Sequence, residues 1–153
     1  MNSPVHVLPG TQLASADVRQ AQHVFTQILS YLREQARPWA QSGLSKAIDD
    51  PYVIGKVGDL QIRIAVAEAL IERAQHIAIQ SLDAALVAVA IAEADIASAE
   101  ALQSVSNAQL ELTGSRDAQR SSPQREQAPL RWKFQVIGNY RLNGVDPQTA
   151  GVL

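Results

Sequence analysis

The sequence contains no cysteine among its 153 residues, which excludes a disulfide framework, a thiolate metal site and a cysteine nucleophile. Aromatic residues make up only 5% of the chain, so a core must be built mainly from Ala, Ile, Leu and Val. Charged residues make up 18%, and the formal net charge is -2. Because nucleic-acid binding draws its affinity from clustered Lys and Arg, neither DNA nor RNA is an expected partner.

Targeting signals are also missing. The first ten residues lack the basic start and the continuous apolar stretch of a signal peptide, so a cytoplasmic location is expected. The most alanine-rich apolar stretch, 84–92, is far too short to cross a bilayer and is flanked by Asp83 and Glu93. No membrane partner is therefore expected.

Apolar residues instead recur at spacings of three and four, which is the pattern of amphipathic helices. Helices are predicted from about Ser15 to Ala36, ended by Arg37-Pro38; from Pro51 after the cap Asp50; from the cap Ser81-Leu82-Asp83 to Leu112, stopped by Gly114; and from Leu130 to about Leu142. No alternation is long enough for a β-strand. We therefore predict an all-α fold, a four-helix up-and-down bundle with two long central helices.

The second predicted helix carries an apolar seam without a gap, and Ile62 and Val66 widen it, so this helix is expected to be largely buried. The seam consists of Val53, Val57, Leu60, Ile64, Ala67, Ile71, Ala74 and Ala78. The two central helices would each be roughly 40 to 50 Å long, which exceeds the width of a compact monomer of this size. A homo-oligomer, dimer or tetramer, formed through these helices is the expected consequence.

The predicted domain organisation has three parts. An irregular N-terminal arm covers 1–14, the helical bundle covers 15–146, and a tail covers 147–153. Within the bundle, the polar run at about 114–129 has almost no aliphatic residues and is predicted to be a flexible loop.

Residues with metal or nucleophile chemistry are scattered. Glu72 and His76 form the only carboxylate–histidine pair with helical spacing, and no Gly-x-Ser-x-Gly elbow is present, so neither a metal nor a catalytic triad is expected. Gly55 and Gly58 follow no strand, which favours close helix packing over a phosphate loop. The run 131–134 mixes basic and aromatic residues and is interpreted as a helix start rather than a stacking site.

Two arginines are better candidates for a site. Arg37 and Arg116 both lie at predicted helix ends, where a guanidinium group is free to bind a phosphate with two hydrogen bonds. Ser115 could add a hydroxyl and a backbone donor. Spacing alone leaves anion binding and ordinary capping or surface pairing both open.

Several segments of the chain carry a family resemblance. They are Arg37-Pro38-Trp39, Asp50-Pro51-Tyr52-Val53-Ile54, Val57-Gly58-Asp59-Leu60-Gln61-Ile62-Arg63, residues 67–74, residues 110–116 and residues 131–144, which end in Ile-Gly-Asn-Tyr-Arg-Leu-Asn-Gly. Together they resemble the C-terminal helical domain of the acyl-CoA dehydrogenase superfamily, and more narrowly its sulfur-acquisition and dibenzothiophene-monooxygenase branch.

This resemblance implies a flavin-dependent oxidoreductase or monooxygenase that assembles as a tetramer through its helical bundle. It implies FMN or FAD as the cofactor, with Arg37 and Arg116 at the flavin phosphate and Ser115 beside it. No catalytic residue is assigned, because the family's histidine-containing segment corresponds here to 117–129, which has no histidine.

The chain is also too short for the family's N-terminal helical and β-domains. We therefore expect a stand-alone or truncated bundle domain that is not catalytically competent alone. The alternative is a non-catalytic helical oligomerisation or interaction module, either a degenerate remnant or a subunit that completes the flavin site of a partner chain carrying the missing domains.

Overall fold

The computed structural model describes residues 10–117 and 123–147. These residues form α1 (Gln12–Glu34), α2 (Pro51–Gln80), α3 (Ala84–Thr113), α4 (Pro123–Gln127) and α5 (Leu130–Asn143), with a short 3-10 turn at Ala47–Asp49 before α2. No strand occurs in these two ranges, and the predicted all-α fold is confirmed. The predicted N-terminal arm and C-terminal tail lie largely outside the described residues.

The two long helices begin and end at the predicted signals. The Asp50 carboxylate accepts a hydrogen bond from the Tyr52 backbone N–H at 2.8 Å, and Pro51 occupies the first turn of α2. Asp83 accepts from the N–H groups of the first turn of α3. Gly114 ends α3 at a φ of 77°, a left-handed conformation that glycine adopts without steric cost.

Consecutive long helices run antiparallel. Tyr52, in the first turn of α2, contacts Glu111 near the end of α3, whereas Arg73, late in α2, pairs with Glu93 early in α3. Helix α3 is central, because α1, α2 and α5 all pack against it. Its small side chains, among them Ala90, Ala94 and Ala101, allow this close approach.

The apolar core lies between α1, α2 and α3. On α1, Val18, Ala21, Phe25, Ile28 and Leu32 are buried at helical spacing, and Leu29 is half-buried. On α2, the five seam residues from Leu60 to Ala74 are buried, while Val53, Val57 and Ala78 are partly exposed. The seam prediction is therefore confirmed for the centre of the helix.

The prediction that α2 as a whole is largely buried is wrong for the single chain. Ile62 is 65% exposed and Val66 is 49% exposed, because both lie on the side of α2 opposite its seam. Gly55 and Gly58 do not serve close packing within the chain either, since a Cβ atom built on either would meet nothing within 4 Å. The most buried helix is α3, not α2.

Some helix boundaries differ from those predicted from the sequence. Helix α1 starts at Gln12, three residues early, because the apolar face extends back to the fully buried Ala14. The predicted loop at about 114–129 contains α4, which begins at Pro123 in the position that proline favours at a helix start. Residues 118–122 of that predicted loop lie outside the described residues.

Within the two described ranges, no helix is both long and apolar enough to span a membrane.

Candidate functional site

The candidate site lies at the end of the bundle where α1 ends, α2 begins and α3 ends. Gln109 of α3 donates a hydrogen bond to Gln27 of α1 at 3.3 Å, and Lys56 of α2 lies 2.9 Å from Glu111 of α3. The connection 35–50 crosses this end through the 3-10 turn, which contacts both α1 and α2. This antiparallel arrangement places both predicted phosphate-binding arginines at the same end of the bundle.

Arg37 lies in that connection, just after α1. Its side chain is exposed and forms no hydrogen bond or ion pair with any other described residue. Trp39 follows and is 69% exposed, while the Trp39 carbonyl accepts a hydrogen bond from the Ser42 backbone N–H at 2.9 Å. Arg37 and Trp39 therefore both face solvent in the connection between α1 and α2.

Arg116 and Ser115 follow the left-handed stop of α3. The Thr113 hydroxyl donates to the Gln109 carbonyl at 2.7 Å and accepts from the Ser115 backbone N–H at 3.3 Å. Arg116 Nη2 donates to Asn107 Oδ1 at 2.6 Å, and its other guanidinium nitrogens have no acceptor among the described residues. The structure thus orders the segment after α3 and leaves N–H donors of Arg116 available for an anion.

A third group of polar residues joins α2 to α3 at this end. The Tyr52 hydroxyl donates to Glu111 Oε1, and Lys56 Nζ lies 2.9 Å from Glu111 Oε2. The hydrogen bond from Tyr52, followed by that from Lys56, lowers the pKa of Glu111. The same carboxylate raises the pKa of Tyr52 and the pKa of Lys56. At neutral pH the group therefore holds an anionic Glu111, a cationic Lys56 and a protonated Tyr52.

These contacts decide which charges remain for a ligand. Glu111 pairs with Lys56, whereas Arg33, Arg37, Lys46 and Arg116 at this end keep donors with no acceptor among the described residues. Across residues 10–117 and 123–147, no group of three or more His, Asp or Glu side chains is arranged to hold a metal ion. The arrangement is suited to binding an anion, and it presents no activated nucleophile among the residues just named.

Known sequences that resemble this chain match either a short stretch of it or most of it. Dibenzothiophene monooxygenase of Rhodococcus erythropolis is 40% identical over 47 residues, which is 31% of this chain and 11% of that protein. A protein described as a probable FMNH2-dependent monooxygenase, SfnC, of Pseudomonas putida is 25% identical over 150 residues, covering 83% of this chain and 37% of its own length. No protein-family profile matches the sequence.

Solved structures share the fold over nearly all of the chain. Indole-bound TdsC from Paenibacillus sp. A11-2 superposes with a TM-score of 0.76 at 24% identity, covering 90% of this chain and 40% of TdsC. Methanesulfinate monooxygenase MsuC from Pseudomonas fluorescens has a TM-score of 0.65 at 20% identity. The chain is related to the acyl-CoA dehydrogenase-like, sulfur-acquisition monooxygenases.

This relation confirms the resemblance predicted from the sequence segments. The chain spans only 11% to 37% of the curated relatives named above, and about two-fifths of the structural neighbours. The shared part is therefore a helical portion of larger monooxygenases. The roles of Arg37, Ser115 and Arg116 are not tested by this likeness and stay predictions.

Sequence reasoning missed the cluster of Tyr52, Lys56 and Glu111. Tyr52 and Lys56 are four residues apart and so share a face of α2, which was a usable signal. Their partner Glu111 is 59 residues from Tyr52, and only the antiparallel packing of α2 on α3 brings it close.

Proposed function

We propose that this end of the bundle forms the phosphate-binding side of a flavin site, in which Arg37, Ser115 and Arg116 contact the flavin phosphate. The observation that carries the proposal is the presence of two guanidinium groups with unused donors at one bundle end. Guanidinium groups bind phosphate with paired hydrogen bonds and keep their charge at any physiological pH. Ser115 is exposed beside them.

FMN is the first flavin to consider. Among the relatives, TdsC has been solved with FMN bound, with a TM-score of 0.73 to this chain, and SfnC is described as FMNH2-dependent. FAD carries the same phosphate chemistry. A bound flavin would supply the redox chemistry, while the residues of this chain would bind the phosphate and fix its orientation.

We propose further that flavin-dependent turnover needs groups beyond this bundle, in the same protein or in a partner chain. His23 lies in the middle of α1 and His76 lies in the last turns of α2, away from the candidate site. No other histidine occurs in the two described ranges. A histidine acting as general acid or base at this site would therefore come from elsewhere.

Calorimetric titration with FMN tests the phosphate site. We expect saturable binding by the wild-type chain, a loss of about tenfold or more in affinity for Arg116→Ala, and no change for the control Arg63→Ala, whose arginine is exposed in mid-α2. Riboflavin, which lacks the phosphate, should bind more weakly than FMN and should not distinguish Arg116→Ala from wild type. Equal binding of FMN by wild type and Arg116→Ala would contradict the proposal.

A second candidate function is helix-mediated self-association, and the outward side of α2 favours it. Ile62 and Val66 are exposed there, and Gly55 and Gly58 leave open space beside them. Each α2 would be about 45 Å long. A second helix could cover these side chains and approach closely at the glycines, and we propose that a second copy of the chain does so.

Sedimentation velocity over a range of concentrations tests this association. We expect a dimer or tetramer for wild type and for the control Gln61→Asp, and a shift to monomer for Ile62→Asp with unchanged helix content. A wild-type chain that stays monomeric at every concentration would contradict self-association.

Flavin-dependent turnover by the purified chain alone would contradict the proposal that turnover needs groups beyond this bundle.

A further inference from the structure

Helix α5 is attached to the bundle without burying any of its residues. None of its 14 residues is buried, and the large apolar side chains Trp132, Phe134 and Leu142 are 48%, 52% and 86% exposed. Helix α5 packs mainly on α3. Its apolar contact with the bundle consists of the half-buried side chains Leu130, Val136, Ile137 and Tyr140, so it removes less apolar area from water than the fully buried core contacts do.

Four charges instead join the C-terminal segment, defined here as residues 123–147, to the three long helices. Lys133 Nζ of α5 lies 2.7 Å from Asp95 Oδ2 of α3, and the Asp95 side chain is only 4% exposed. Arg125 of α4 pairs with Asp17 of α1, and it also donates to the Asp95 backbone carbonyl at 3.3 Å. We call Asp17, Asp95, Arg125 and Lys133 the four-charge cluster.

The four-charge cluster is shielded from water but incompletely satisfied. Asp95 Oδ1 and Arg125 Nη1 are buried and have no hydrogen-bond partner among the described residues. Burial raises the pKa of Asp17, an effect that outweighs the lowering by Arg125, and the nearby Asp95 raises it further. Burying charges costs free energy that ion pairing only partly returns, whereas removing one partner leaves an uncompensated buried charge.

We propose that the C-terminal segment opens from the three-helix core as a separate unit, and that the four-charge cluster holds it closed. The two carboxylates belong to the core and the two cations to the segment, so the charges match across the whole contact. Opening returns all four charges to water and exposes no fully buried side chain of α5, only half-buried apolar ones. The core helices keep their own apolar contacts in the open form.

Hydrogen exchange of the full-length chain, followed by mass spectrometry under native conditions, tests this proposal. We expect amides in the middle of α5 to exchange about tenfold or more faster than amides in the middle of α3. Lys133→Gln should raise the α5 rate by a further tenfold or so and leave α1 to α3 unchanged, because it leaves Asp95 unpaired. Lys133→Arg, which keeps the charge, should stay close to wild type.

The matched control is Lys56→Gln, which breaks the ion pair between Lys56 of α2 and Glu111 of α3. It should leave exchange in α5 unchanged. Equal exchange rates for α5 and α3 in the wild-type chain would overturn the proposal, because the segment and the core would then open together. An equal rise in α1 to α3 and in α5 on Lys133→Gln would overturn it as well.

If Lys133→Gln does not fold, Arg125→Gln provides the second variant, and the wild-type comparison of α5 with α3 decides the question without any substitution. A loss of α5 protection in Lys133→Arg equal to that in Lys133→Gln would show that packing of the lysine stem, rather than its charge, closes the segment. That result too would overturn the proposal.

Discussion

Ile28, Leu60 and Val105 are each at most 1% exposed and come from α1, α2 and α3, whereas α5 has no fully buried residue. The three long helices interlock through apolar side chains that occupy every third or fourth position. The C-terminal segment touches the same core through two aspartates, an arginine and a lysine. One chain thus uses two different means of attaching a helix.

The two means respond differently to substitution. An apolar contact loses free energy in proportion to the area and volume removed, and it tolerates conservative exchange. A buried ion pair contributes little more stability than a well-packed apolar replacement would, but removing one of its partners is strongly unfavourable. We therefore expect core variants to change global unfolding and cluster variants to change the attachment of the C-terminal segment.

The largest effect is expected for Ile64→Asp, which places a carboxylate in the core at a position that is 3% exposed. Burying an unpaired charge should cost several kcal/mol, about 3 to 5, and unfold much of the chain. Urea unfolding followed by far-ultraviolet circular dichroism measures it. The matched variant Ile62→Asp, at a position 65% exposed, should leave unfolding of the monomer nearly unchanged.

Lys133→Leu should be next in size. It leaves Asp95 buried without a partner at a cost of about 3 kcal/mol, whereas the double variant Asp95→Leu with Lys133→Leu should recover to within about 1 kcal/mol of wild type. Trp132 fluorescence in a Trp39→Phe background reports the C-terminal segment, and circular dichroism reports the core. Equal loss in the single and double variants would show that the cost of Lys133→Leu does not come from leaving Asp95 buried without its partner.

Two glycine substitutions should have smaller and opposite effects. Gly55→Ala lies inside α2 with open space around it, so the monomer should gain up to about 1 kcal/mol from helix propensity. Gly114→Ala meets equally open space, but its φ of 77° strains an alanine, so about 1 kcal/mol should be lost. Thermal unfolding of both variants checks the signs, and a stabilised Gly114→Ala would refute the conformational argument.

The smallest effect concerns pH. Because burial raises the pKa of Asp17 above its ordinary value of 3.8, the folded chain binds this proton more tightly than the unfolded chain. The unfavourable contribution of charged Asp17 is present above the folded pKa and disappears as the pH falls to the unfolded value. The Tm of wild type minus that of Asp17→Asn should therefore rise as the pH is lowered from about 7 to about 4.

Glu111 supplies the opposite control. Its pKa is lowered, so its contribution to stability is present above the unfolded pKa and is lost as the pH falls through the folded value. The Tm of wild type minus that of Glu111→Gln should fall as the solution becomes more acidic. If both Tm differences change in the same direction as the pH is lowered, the direction assigned to one of the two pKa shifts is wrong.

The helices and the seam were predictable because their signals are local. Asp50, Asp83 and Gly114 act within one turn of their own helix, and the seam from Leu60 to Ala74 follows the helical period. The exposure of Ile62 was not predictable in the same way. Periodicity identifies an apolar side chain, but whether a neighbour covers it depends on how many helices pack around α2.

The candidate site was predictable only in part. Arg37 and Arg116 could be selected because both follow helix ends, and the antiparallel fold indeed brings both ends together. The group of Tyr52, Lys56 and Glu111 was not predicted. The four-charge cluster was missed as well, because Asp17 and Arg125 are 108 residues apart and neither belongs to a motif.

The sequence by itself determined the all-α class, the caps and stops of the long helices and the apolar seam, because hydrogen bonding and side-chain spacing act over a few residues. Only the tertiary structure decided that α3 is the central helix, that the outward side of α2 is left uncovered and that four charges meet beneath α4 and α5. Those features depend on which helix faces meet, and that choice is made by the packing of the whole chain.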